Sequence, residues 1–127
     1  MTVKQGICGE ILWKAGNLMP SPDRPVSQGR PVVRELFIYE LTNMEIAKPK
    51  DGFYQFIPTK LIGKVTSNEQ GEFCIDLPEG QYSLFVKEDK KGFYANSFDI
   101  AGNIYPVTVE KGKASQITFV IDYKAVY

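Results

Sequence analysis

Glycine, proline and asparagine interrupt this chain so often that no stretch between them sustains apolar residues at helical spacing. What remains is a run of short segments in which apolar and polar side chains alternate, the pattern of half-buried strands. The first covers residues 5–13, with Ile7, Gly9 and Ile11 on one face and Cys8, Glu10 and Leu12 on the other. Residues 17–31 hold Pro20, Pro22, Pro25 and Pro31 and form a long connection, because proline cannot donate to a strand ladder. A second strand follows over residues 32–41.

Residues 43–59 read as a second long loop. It carries the turn signal Lys50-Asp51-Gly52 and an apolar cluster of Phe53, Tyr54, Phe56 and Ile57. Further strands are expected over 61–66, 72–77, 82–87, 93–100 and 105–109, and a last one places Ile117, Phe119, Ile121 and Tyr123 on one face. Tight turns at Pro78-Glu79-Gly80 and Glu110-Lys111-Gly112-Lys113 separate them. The pattern predicts an all-β, two-sheet sandwich of seven to eight strands.

A chain of 127 residues has room for one domain. Its 15 basic and 15 acidic side chains cancel, so bulk charge would draw in neither nucleic acid nor an anionic membrane. No apolar run approaches the roughly 20 residues of a membrane helix, and residues 1–6 carry no hydrophobic signal-peptide core. Histidine is absent altogether, which removes the usual proton-transfer group near neutral pH and the commonest nitrogen ligand for transition metals. Two cysteines, Cys8 and Cys74, are too few for a zinc site; they are either a disulfide or two buried thiols.

The stretch Gly71-Glu72-Phe73, Leu77-Pro78-Glu79-Gly80 and Tyr82-Ser83-Leu84 resembles the central signature of carboxypeptidase regulatory-like domains. Ile7-Cys8-Gly9-Glu10-Ile11 is similar to that family's opening strand, and Gly92-Phe93-Tyr94 to its Gly-aromatic turn. The two long loops flanking the second strand exceed the family's usual short turns. The resemblance implies a transthyretin-like (prealbumin-like) Greek-key sandwich in which the strands of Cys8 and Cys74 are neighbours. A bridge between their sulfurs would suit an oxidising compartment. The signature is a packing motif: Phe73, Ile75 and Leu77 face inward, and Tyr82 and Leu84 return on the same face.

Related sandwiches that are enzymes or self-crosslinking proteins use residues this chain lacks. Hydroxyisourate hydrolases need histidines and a terminal Tyr-Arg-Gly-Ser, whereas this sequence ends Tyr123-Lys124-Ala125-Val126-Tyr127. Intradiol dioxygenases hold iron through two His and two Tyr. Isopeptide-forming pilin sandwiches place an acid where Val86 stands, with Glu88 the nearest substitute. The pairs Asp76 with Glu79 and Asp99 with Asp122 read as solvated strand and turn residues rather than glycosidase acids. No catalysis, metal or cofactor is therefore expected.

The aromatic surplus is the remaining candidate. Trp13, Phe53, Tyr54, Phe56, Phe85 and Phe93 fall at strand ends, on an outward-looking strand face or in loops. They are either a surface for a protein partner or glycan, or plugs that seal the sandwich. The resemblance implies a non-catalytic accessory module of a bacterial extracytoplasmic protein, structural or protein-binding, its signal segment lying outside this sequence. The alternative is a carbohydrate-binding domain of the starch-binding-like type.

Overall fold

The alternating segments assemble into two facing sheets in the computed structural model, which describes residues 3–17 and 29–126. Among these residues the strands are β1 (Gly6–Asn17), β2 (Arg30–Pro31), β3 (Glu35–Glu40), β4 (Leu61–Thr66), β5 (Glu72–Asp76), β6 (Gly80–Lys87), β7 (Phe93–Tyr94), β8 (Pro106–Val109) and β9 (Ala114–Val126). The only helical element among them is a single 3-10 turn at Asp89–Lys91. No helix of the described residues is long and apolar enough to cross a membrane.

β1 is the spine of the first sheet. One edge carries the antiparallel strands β5 and β2, and the other carries β9 in parallel along its whole length. That parallel approach needs a glycine, since a Cβ on Gly9 would run into the carbonyl oxygen of Ile117. β6 is the spine of the second sheet, with β3 and then β4 on one edge and β7 and β8 sharing the other. Between the sheets lie Ile7, Ile11, Phe73, Phe119 and Ile121 from the first, facing Leu36, Ile38, Leu84 and Val86 from the second. All are buried, as the alternation along each strand predicts.

The outer face of the second sheet is also covered, so Phe85 lies on that face as expected but is buried rather than open to a ligand. Residues 41–60 fold back across it. The Thr42 amide donates to Ser83 Oγ at 2.8 Å, and the Tyr54 ring meets Phe85 edge-on at 5.3 Å. At the far end of this loop Lys50 and Phe53 close a two-residue turn, with Asp51 and Gly52 both at positive φ (53° and 86°), the geometry favoured in tight hairpins. The Tyr54 amide and carbonyl then pair with those of Phe93, so the loop extends the sheet beyond β7. The first long connection falls outside the described residues apart from positions 17 and 29–31.

The strand expected over residues 93–100 is shorter, ending at Tyr94. Side chains there compete with the ladder for backbone partners. Asn96 Nδ2 donates to the Val120 carbonyl and to Asp122 Oδ1, both at 2.9 Å. Asp99 accepts from both the amide and the side chain of Asn103, which closes a tight turn and holds the Asp99 carboxyl below its usual pKa. Tyr105, expected inside the next strand, sits at φ 37° and instead stacks on Phe119 at 4.5 Å. Its hydroxyl donates to the Thr118 carbonyl at 3.2 Å. Tyr105 and Asn96 thereby occupy carbonyls on the edge of β9 that no described strand pairs, an edge that would otherwise invite a foreign strand.

Candidate functional site: a cation and aromatic rim around Glu88

Five elements converge at one end of the sandwich. Arg34 immediately precedes β3, Glu88 follows β6, Lys91 closes the 3-10 turn, Tyr123 lies on β9 and Trp13 on β1. Glu88 is 5% exposed, and both its carboxylate oxygens are engaged. Arg34 Nε donates to Oε2 at 2.7 Å and the Tyr123 hydroxyl to Oε1 at 2.6 Å. A buried carboxylate is tolerable only with such partners. Burial, reinforced by the hydrogen bond to Glu88 and the nearby negative charge, pushes the Tyr123 hydroxyl up to about 12.

Around this pair the rings pack edge to face or tilted. Tyr123 meets Trp13 at 5.3 Å, Phe53 at 4.9 Å and Tyr94 at 5.2 Å. Two cations lie over three of these rings. The Arg34 guanidinium sits 5.7 Å from the centre of Trp13, and Lys91 Nζ lies 5.9 Å from Phe53 and 5.7 Å from Tyr123. Lys87 Nζ lies 4.7 Å above Phe93 on the neighbouring face. Arg34, Lys87, Glu88, Asp89, Lys91 and Tyr123 line an open pocket of about 370 Å³.

The six aromatic candidates therefore divide. Trp13 and Phe53 join this site, half-buried. Phe93 is half-buried in a separate cluster with Phe37, Tyr39 and Phe85. Tyr54 and Phe85 are 1% and 0% exposed and offer no surface to a ligand. Their burial comes from the folded-back loop, which strand alternation does not reveal. Phe56 alone projects into solvent, 74% exposed. Arg34, Tyr123, Lys87 and Lys91 were not among the sequence candidates, and Glu88 entered only as the nearest substitute for an isopeptide acid. Glu88 reads as one more residue of the charged turn Glu88-Asp89-Lys90-Lys91, and only packing beneath Tyr123 distinguishes it.

Cys8 and Cys74 lie directly opposite one another on β1 and β5, with Cα atoms 4.1 Å apart, and are joined by a disulfide. The bridge sits on the outer face of the first sheet among Glu10, Glu72, Gln116 and Thr118. A disulfide fits a chain that folds outside the reducing cytoplasm.

Fold and site together define an all-β sandwich, stapled across neighbouring strands, with a cation and aromatic rim at one end. Comparison with protein-family models, with curated proteins and with solved structures finds no significant match to this chain.

Proposed function

We propose that the chain is a non-catalytic accessory module of a bacterial protein that works outside the cytoplasm, serving as a structural or protein-binding unit related to the carboxypeptidase regulatory-like domains. The observation that carries this is the use made of the aromatic side chains. Of the six candidates for a stacking platform, Tyr54 and Phe85 are buried, while Trp13, Phe53 and Phe93 are half-buried, packed against other rings and approached by cations. A sugar needs an open ring face. The disulfide adds support for an oxidising location.

Affinity electrophoresis in gels containing neutral and acidic polysaccharides, together with a glycan array, tests the proposal. No retardation and no array signal are expected. Reproducible glycan binding that disappears in Phe56→Ala would defeat the proposal and establish the carbohydrate-binding alternative.

A further inference from the structure

The Glu88 pocket holds more positive charge than its surroundings require. Arg34, Lys87 and Lys91 stand against Glu88 and Asp89 in a chain whose formal net charge is +0. Of these cations only Arg34 has an acidic partner within salt-bridge distance among the described residues. Lys87 and Lys91 lie over aromatic rings instead, a contact that leaves the hydrogen-bond donors of the ammonium group free. Arg34 is oriented twice over, by Glu88 through Nε and by the Val33 carbonyl through Nη1 at 2.9 Å. Glu88 opposes an incoming anion least, because both of its oxygens already accept hydrogen bonds. Asp89, exposed on the pocket wall, is the one acid that works against it.

We propose that this pocket recognises the carboxylates of an acidic peptide segment on a partner protein. The inference rests on the protein-binding reading above and gives that reading a site and a ligand chemistry. Charge rather than stacking selects the ligand, since five of the six residues lining the pocket are charged and Tyr123 supplies its one ring. A pocket of about 370 Å³ accommodates one or two carboxylate side chains and is small for a folded partner. Cations gathered in a recess beside the Tyr123 ring focus the field on such a group.

Trp13 is the only tryptophan of the chain and lies against Arg34, so its fluorescence reports on the site. The experiment titrates the intact protein with a short oligoglutamate peptide, following Trp13 emission and amide shifts in parallel so that a silent fluorophore hides nothing. Saturable binding is expected, weakening about fivefold or more between low and physiological salt. A comparable loss is expected in Lys87→Ala and Lys91→Ala, and near-complete loss in the double change of both lysines to glutamate. Both lysines are solvent-accessible, and unchanged thermal midpoints would confirm that these variants fold.

Absence of saturable shifts overturns the inference, as does binding indifferent to either lysine. Oligogalacturonate binding as tight as oligoglutamate overturns the peptide class. Failure of the peptide titration leaves the accessory-module reading standing, whereas glycan binding lost in Phe56→Ala defeats that reading whatever the peptide does.

Discussion

Two buried polar side chains make opposite demands on stability. The Tyr54 hydroxyl is enclosed with no hydrogen-bond partner among the described residues, and burial raises its pKa. An unmade hydrogen bond of this kind costs about 1–3 kcal/mol. Tyr54→Phe keeps the ring against Phe85 and is expected to leave stability unchanged or raise it by about 1 kcal/mol in urea denaturation. Glu88 is the reverse case, a buried charge whose two partners are both in place. Glu88→Ala strands Arg34 and Tyr123 and is expected to lower stability by about 2–3 kcal/mol, less than for a fully enclosed pair because Arg34 keeps a third of its side chain in water. An equilibrium unfolding curve superimposable on the parent would show that the pair contributes nothing. Neither role is written in the local sequence: Tyr54 sits among loop aromatics and Glu88 in a run of charges, and in each case residues distant in the chain decide the environment.

At the scale of the element, the pairing of β1 with β5 is both hydrogen-bonded and covalent. The bridge spans a sequence separation of 66, and closing a loop of that length stabilises the fold by about 4 kcal/mol on the chain-entropy model. Reduction, or replacement of both cysteines by serine, is therefore expected to lower the unfolding free energy by that order, seen as a lower urea midpoint, while leaving the far-ultraviolet spectrum of the folded state intact. An unchanged midpoint under reducing conditions would contradict a stabilising role. The loop over the second sheet shows the limit of reading elements one at a time. Lys50-Asp51-Gly52 announces its turn correctly, yet the return of that turn to Phe93 depends on a bridge between segments 39 positions apart. The segment expected as a strand over residues 93–100 fails for a related reason, since Asn96 and Asp99 satisfy backbone groups that a strand would have left to its neighbour.

For the whole molecule, raised tyrosine pKa values link stability to alkaline pH. Tyr105, through burial, and Tyr123, through burial and its bond to Glu88, are pushed up to about 12, against 10.0 when unperturbed. Tyr94 shifts the same way, through burial and then its hydrogen bond to Asp122. The folded state holds these protons more tightly than the unfolded state, so their contribution is complete below pH 10 and is lost as pH rises towards about 12. Cooperative unfolding in that window is expected, with tyrosinate absorbance rising together with loss of structure; Tyr123→Phe should remove part of the dependence. Tyrosines that ionise independently near pH 10 with no loss of fold would refute the linkage. The sequence by itself determined the all-β class, the two-sheet arrangement and the inward faces of the main strands, because alternation and turn chemistry act over a few residues and repeat along the chain. Only the tertiary structure decided that residues 41–60 bury Phe85 and Tyr54, that Cys8 and Cys74 are bonded rather than free thiols, and that Arg34, Glu88 and Tyr123 meet around one pocket. Those outcomes depend on register between strands distant in the chain, and a one-residue slip would have turned each side chain to the other face.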